Sequence, residues 1–387
     1  VGVMEVSRTL DCGPWTVFYK VALPLARPAI VVGLSLALME TLADYGTVAF
    51  FGQRVFTTGI FRTWFGLGDY NSAAKLSSLL LFFVFVLIIV ERVSRNKGRY
   101  HNSSGKLTHF SEYRLKGLKA WGAFASCAIP VFLGFFLPAA QLSIWAFETY
   151  SEMVDDRFFE LARNSFLLGL SAALISVILA LFLGYGKRII PGKASIVSIR
   201  IASIGYAIPG TVVAVGVIIP FAWIDGRIDT FMQSGFGISS GLIFSGTLVA
   251  VMFAYVVRFL AISLQTVESG LDKIKPSMED AARSLGCRHL ETLFKIHLPL
   301  MKSSTLTALM IVFVDVMKEL PATLILRPFD FNTLSVRAFE LASDERLADS
   351  STAALAIVMV GLFPVIYLSK TISHSRLDQV NTKYEKT

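Results

Sequence analysis

The stretch Asp280-Ala281-Ala282-Arg283-Ser284-Leu285-Gly286-Cys287, followed after seven residues by Lys295-Ile296-His297-Leu298-Pro299-Leu300, decides how this chain is read. Ser277 is placed to cap a short helix with Asp280 three residues on, and Ala281 and Ala282 leave one face of it small and flat. Gly286 is placed to end that helix in a left-handed conformation. A second helix follows, with Leu290, Leu293, Phe294 and Ile296 as its apolar stripe, and runs to Leu298 and Pro299, where proline opens the next segment. The expected product is an L of two short helices. A shift of 275 positions finds the pattern again, carrying Glu5-Val6-Ser7-Arg8-Thr9-Leu10-Asp11-Cys12 onto Asp280 to Cys287 and Lys20-Val21-Ala22-Leu23-Pro24-Leu25 onto Lys295 to Leu300. The register continues until Phe56, Thr58, Arg62 and Asp69 meet Phe331, Thr333, Arg337 and Asp344. Roughly 65 ungapped positions with matched charges indicate an internal duplication.

The surroundings of the two L motifs are apolar. Of 387 residues, 54% are hydrophobic and 17% charged, with a mean hydropathy of +0.62, which excludes an ordinary soluble domain. A bilayer core about 30 Å thick needs roughly 20 apolar residues of helix. Eight such runs are expected, over 28–51, 73–90, 120–141, 165–186, 197–221, 241–264, 305–326 and 352–368. The net charge of +8 is distributed as topology. One set of gaps holds only Arg54, Arg62, Arg157, Arg163, Arg227, Arg327, Arg337 and Arg346. The other holds most of the remaining lysines and arginines, including Arg92, Arg95, Lys97, Arg99, Lys106, Arg114, Lys116 and Lys119 in one loop. That side is expected to be cytoplasmic, with both ends of the chain on it, and no nucleic-acid partner is implied. Cys12, Cys127 and Cys287 are too scattered for a disulfide framework or a metal site. Neither G-x-x-x-x-G-K-[ST] nor G-x-G-x-x-G occurs, and the five histidines are isolated, so no enzyme is expected.

The spacing Asp280-Ala281-Ala282, three residues, Gly286, nine residues, Ile296, one residue, Leu298-Pro299 resembles the EAA loop of ABC importer permeases. In that family the loop is the coupling helix that docks on the ATPase. Departures are Asp280 in place of glutamate and, in the first copy, Val6 and Ser7 for the alanines and Asp11 for the glycine. Leu42-Ala43-Asp44-Tyr45-Gly46-Thr47-Val48, Phe56-Thr57-Thr58-Gly59-Ile60 and Gly205-Tyr206-Ala207-Ile208-Pro209-Gly210-Thr211 are similar to the fused, two-bundle permeases of bacterial iron(III) importers that depend on a ferric-binding protein. The resemblance implies an all-α polytopic inner-membrane protein built of tandem type I importer bundles. It also implies two ATPase subunits carrying ATP and magnesium, a periplasmic solute-binding protein, lipid contact, and no cofactor on this chain. Thiamine or another small solute remains open as cargo, and an ion-driven secondary transporter is the reading from another class. Residues 1–95 are expected to be the end of a first bundle with its loop at 4–24, 96–118 a cytoplasmic linker, and 119–387 a complete second bundle with its loop at 277–299.

The second loop is preceded by four spans and the first by four residues, so repeat symmetry leads us to expect a fragment lacking roughly 150 residues or more at its start. Ionisable groups at membrane depth cost about 2.5 to 3.5 kcal/mol and usually face a cavity or a partner. Glu40 and Asp44, four apart on one expected helix face, become Asp315 and Glu319 under the shift. They either line a passage suited to a hard cation with oxygen ligands or brace the packing with Lys318, Lys75 or Arg258. Gly205, Pro209, Gly210 and Gly216 read as a closely packed kink. Gln141, Trp145 and Tyr150 read as an interfacial belt, and the acidic loop 148–160 as a solvated outer face. In-frame nucleotide sequence upstream of Val1 is expected to encode four or more further apolar spans; an immediate stop codon would contradict that.

Overall fold

The computed structural model describes residues 13–96 and 115–384, with side chains outside 14, 28, 94–96 and 367–384. Described elements are all helical. They are α1 (Leu23–Ala43), α2 (Gly46–Phe50), α3 (Phe56–Phe61), α4 (Tyr70–Asn96), α5 (Leu118–Val131), α6 (Leu137–Met153), α7 (Asp156–Ile189), α8 (Lys193–Ala202), α9 (Gly210–Phe236), α10 (Leu248–Leu271), α11 (Pro276–Ser284), α12 (His289–Thr292), α13 (Lys302–Met317), α14 (Pro321–Leu326), α15 (Leu334–Ser343) and α16 (Leu347–Tyr384). Among the described residues, six helices are long and apolar enough to cross a membrane. Two bent pairs, Trp15–Arg27 with Ala29–Ala43 and His289–Leu300 with Lys302–Met317, bring the number to as many as eight, in line with the sequence.

Packing divides the chain into two compact units, Val1–Leu42 with Leu79–Ala140, and Ala43–Ser78 with Gln141–Thr387. In the first, the apolar faces of α1, α4 and α5 are largely exposed, with Leu34, Phe82, Phe124 and Phe136 among the uncovered side chains. Such surface suits a lipid environment, where tails replace a protein core. In the second, α7, α10 and α13 pack around Val177, Ala180, Leu181, Leu264, Val267, Leu271, Met301 and Ala308. Small residues allow the close approach: a Cβ on Gly169 would lie 3.1 Å from the Phe313 ring, and one on Gly184 would lie 3.2 Å from Leu271. A second cluster, Leu161, Met317, Leu334 and Ala353, seats α15 and α16 against α7.

The duplication is visible element by element. Pro14–Val17, the π turn Phe18–Ala22 and α2 in the first copy reappear 275 residues on as α12, the π turn Leu293–His297 and α14. Asp69 starts α4 by accepting bonds from Ser72 N at 3.0 Å and Ser72 Oγ at 2.5 Å, and these hold its carboxyl below its ordinary pKa.

Several expected boundaries are corrected. The span expected over 197–221 is not one helix: α8 ends at Ala202, the chain turns through Gly205–Ala207, and the crossing helix is α9. Pro209 explains the break, because it holds Ile208 in an extended conformation (φ −83°, ψ 126°). Likewise α1 stops at Ala43 and α13 at Met317, so the spans expected to 51 and 326 each break and restart. The run expected over 241–264 becomes α10, because 237–247 is an ordered loop. Asp225 accepts from Phe244 N (3.0 Å), Ser245 N (2.7 Å) and Ser245 Oγ (2.6 Å), and Asp229 from Ser239 Oγ and Ser240 N, both at 2.8 Å.

The glycines of the 205–210 segment also separate into two kinds. A Cβ on Gly205 would lie 1.9 Å from the Val257 carbonyl oxygen and one on Gly210 would lie 2.4 Å from Glu319 Oε1, whereas nothing lies within 4 Å of one on Gly216. Close packing therefore holds for Gly205 and Gly210 and fails for Gly216. Gly205→Ala is expected to destabilise the detergent-solubilised protein by about 2–3 kcal/mol. Gly216→Ala is expected to be neutral or to stabilise by about 0.5–1 kcal/mol. Thermal unfolding of the two variants side by side checks this, and equal stabilities would contradict it.

Candidate coupling loop and intramembrane charges

Helix α11 starts two residues earlier than the sequence suggests, with Lys275 at the cap and Pro276 at the first helical position, so Ser277 is not the cap. It ends as expected. Gly286 has φ +83°, and the Gly286 and Cys287 N–H groups return to the Arg283 and Ala282 carbonyls at 2.9 and 3.1 Å. Arg288 N then donates to Glu291 Oε2 at 2.9 Å, opening α12. The buried face of the second arm is Thr292, Leu293 and His297, with Ile296 and Leu298 half-buried. Leu290 and Phe294, expected on the apolar stripe, are 58% and 54% exposed, because the π turn rotates the face by inserting a residue into the helical repeat.

Of the residues expected to carry coupling, Ala282 is buried, while Asp280, Ala281, Gly286 and Pro299 face outward. In the first copy Leu23 and Pro24 are exposed, and Glu5, Val6, Ser7 and Asp11 lie outside the described residues. The outer surface of the second loop presents Leu285, Leu290 and Phe294 beside Arg283, Arg288 and His289. Rigid, helical and apolar at its tip, it suits reception in a groove of another protein.

Sequence reasoning missed what holds the loop. Glu279, immediately before the expected acid, is buried, with Arg188 Nε at 2.5 Å and His297 Nε2 at 3.1 Å from its Oε1. Arg188, at the end of α7, also donates to the Leu271 and Ile274 carbonyls, both at 2.6 Å. Tyr185, one turn earlier, donates to the His289 carbonyl at 3.0 Å. Only the spacing of Glu279 and Ala282 on one face of α11 hinted at this.

The four intramembrane acids are not two matched pairs on helix faces. Because α1 ends at Ala43, Asp44 lies in the break, half-buried, and accepts from Thr47 N at 3.2 Å to start α2. Glu40 stays on α1, exposed. Asp315 is on α13, 3.0 Å from Lys318 Nζ. Glu319 lies in the second break, ion-paired with Arg258 from α10 and accepting from Ala322 N at 3.2 Å, while its carbonyl accepts from Thr323 Oγ1 at 2.7 Å and Ser335 Oγ at 3.0 Å. Asp44 and Glu319 thus hold the same place in the two copies, each starting the short helix after the break. The restarted segments meet: a Cβ on Gly46 would lie 3.2 Å from Leu320, and a cleft of about 330 Å3 is lined by Gly46, Phe50, Lys318, Leu320, Ser335 and Phe339. Among the described residues no group of three or more His, Cys, Asp or Glu could hold a metal ion.

Broken spans, a duplicated loop pattern and a buried ion pair at the Lys318–Leu320 break fit a polytopic helical transport permease. Residues 2–99 and 173–379 match the family described as binding-protein-dependent transport system inner membrane component, and the chain belongs to it. Each matched segment contains one copy of the loop. An Fe(3+)-transport system permease protein of Haemophilus influenzae is 27% identical over 375 residues, covering 95% of this chain and 70% of that protein. A ferric transport system permease protein of Actinobacillus pleuropneumoniae is 23% identical over 98% of this chain and 56% of its own length. A putative 2-aminoethylphosphonate transport system permease protein of Salmonella typhimurium is 30% identical over 45% of this chain and 58% of its own. The chain thus spans between about half and 70% of these curated relatives. Among solved structures, a bacterial alginate ABC transporter in complex with an alginate-pentasaccharide-bound periplasmic protein aligns with a TM-score of 0.52 at 15% identity, over 65% of this chain and 93% of that one, a likeness of fold.

Removing one member of a buried pair leaves the other charge uncompensated, at a cost of about 3–5 kcal/mol. Glu319→Gln is expected to lower thermal stability by that order, and Arg258→Met combined with Glu319→Gln to recover part of it. A double variant no more stable than the single one would contradict the pairing.

Proposed function

We propose that this chain forms the larger part of a permease that imports ferric iron, handed over by a periplasmic binding protein and driven by ATP hydrolysis on two partner subunits. The observation that carries the proposal is the recurrence, 275 residues apart, of the helical turn, the π turn and the post-break helix around each loop. An importer worked by a pair of ATPases needs one docking loop per ATPase on the same side of the membrane. Under this reading 4–24 and 277–299 are those loops, ATP and magnesium belong to the partners, both ends of the chain are cytoplasmic, and this subunit hydrolyses nothing. Closure of the ATPases would pull on the loops and rock the bundles as rigid bodies between outward and inward access. The segments 1–95, 96–118 and 119–387 would be the end of one bundle, a linker and a second bundle.

Iron is favoured because the two ferric relatives align over 95% and 98% of the chain, against 45% for the phosphonate relative. The intramembrane acids do not by themselves choose the cargo, since Asp315 and Glu319 are each paired with a cation. We assign Asp44, Asp315 and Glu319 to bracing the breaks, and cargo choice to the binding protein.

Proteoliposomes holding the permease, its ATPase and its binding protein are expected to accumulate radioactive ferric iron only with internal or external ATP at the ATPase face. Uptake of 2-aminoethylphosphonate with no iron uptake would replace the cargo, and uptake driven by an ion gradient without ATP would overturn the class. Amide replacement of Glu40, Asp44, Asp315 and Glu319 is expected to lower the yield of assembled complex. Normal assembly with transport abolished would instead assign these acids to the passage.

A further inference from the structure

The cluster at the root of the second loop has no part in docking, since Glu279, His297 and Tyr185 are buried and Arg188 is 18% exposed in its side chain. It nevertheless joins everything that would have to move together. One guanidinium reaches the last carbonyl of α10, the Ile274 carbonyl in the turn after it, and the Glu279 carboxylate on α11. His297, on the second arm of the L, lies against the same carboxylate oxygen. Tyr185 ties the start of that arm to α7, its ring centred 5.1 Å from that of His297. Beside them Lys187 bonds Glu268 at 2.6 Å, so the ends of α7 and α10 are clamped twice.

A loop that only had to dock could sit on flexible tethers. A loop that transmits a pull needs its two arms fixed to each other and to the membrane helices, and the Arg188–Glu279 ion pair, with His297 packed against the same carboxylate, does this because removing either charged partner strands the other. We propose, building on the transport reading above, that Arg188, Glu279 and His297 are positioning residues forming the joint through which movement of the second loop reaches α7 and α10, and that only the second loop has it. The asymmetry comes from the duplication. Under the 275 shift Met4 stands where Glu279 stands and Ala22 where His297 stands, so the first loop has neither the acid nor the imidazole. The second loop is thus tied by an ionic joint whose acid and imidazole have no counterpart in the first copy's sequence.

The test transplants the first copy's residues into the second, as Glu279→Met with His297→Ala, in the permease reconstituted with its ATPase and binding protein. Ferric iron uptake and phosphate release are measured on the same vesicles. The complex is expected to assemble and hydrolyse ATP, with iron moved per ATP falling by about fivefold. Arg188→Lys, which keeps the charge but replaces the planar fork whose Nε, Nη1 and Nη2 reach three separate acceptors with a single nitrogen, is expected to fall between that variant and the wild type. Hydrogen exchange over 276–300 in the assembled complex is expected to accelerate in both. Unchanged iron per ATP in an assembled variant overturns the joint. If the double variant does not assemble, Arg188→Lys decides, and wild-type exchange and coupling in it overturn the proposal. A wild-type complex that hydrolyses ATP and moves no iron refutes the transport reading instead, and is told apart because it precedes any substitution.

Discussion

A helix that breaks inside a bilayer frees backbone groups that lipid cannot satisfy, so it survives only where protein closes around the break. In this chain the break at Lys318–Leu320 is braced by the ion pair of Arg258 with Glu319, which also packs against Gly210 where the Ser203–Pro209 break ends. The Glu319 carboxylate caps α14, its carbonyl takes two hydroxyls, and Tyr255 OH meets Thr323 Oγ1 at 2.5 Å to complete the seam. Gly210 has to be glycine because the pair occupies the space a side chain would fill, and Gly205 because α10 backbone lies against it. The arrangement of α9, α10, α13 and α14 follows from satisfying these groups, and the charges are spent on that before any solute is considered.

The same economy explains the cytoplasmic side. Residues 276–300 have few apolar contacts of their own beyond Ala282, Thr292 and Leu293, yet form a defined L. Its shape comes from local bonds at Gly286 and Arg288, and its attachment from Arg188. An exposed tip of Leu285, Leu290 and Phe294 is thereby held on a braced base.

How far the sequence carried depended on the range of the interaction. The class, the approximate number of spans, the duplication and the glycine stop at Gly286 were legible, because hydropathy, register and a left-handed residue are properties of short stretches. Span ends were not. The breaks after Ala43 and Met317 fall inside continuous apolar runs, and only the partners of Asp44 and Glu319 show why the helix stops there. The acids were legible as unusual and misread as helical pairs for that reason. Glu279 was invisible beside Asp280 because its partners come from 91 residues upstream and 18 downstream, at Arg188 and His297, and no local pattern announces them. Residues such as Leu290 and Phe294 were assigned to the wrong face because a π turn shifts the phase of a helix without changing its composition.

The central claim is that two equivalent loops, one in each copy, engage two ATPase subunits. The most direct measurement places a photo-crosslinking amino acid at Leu285, which is 85% exposed at the tip of the second loop, and separately at Leu10, its counterpart under the shift, in cells co-expressing the cognate ATPase. The account predicts that each position alone forms a covalent adduct with that ATPase, and that neither does so from Phe363, 69% exposed on α16 within the expected membrane span. Adducts from neither loop, with the complex present in the membrane, would contradict it.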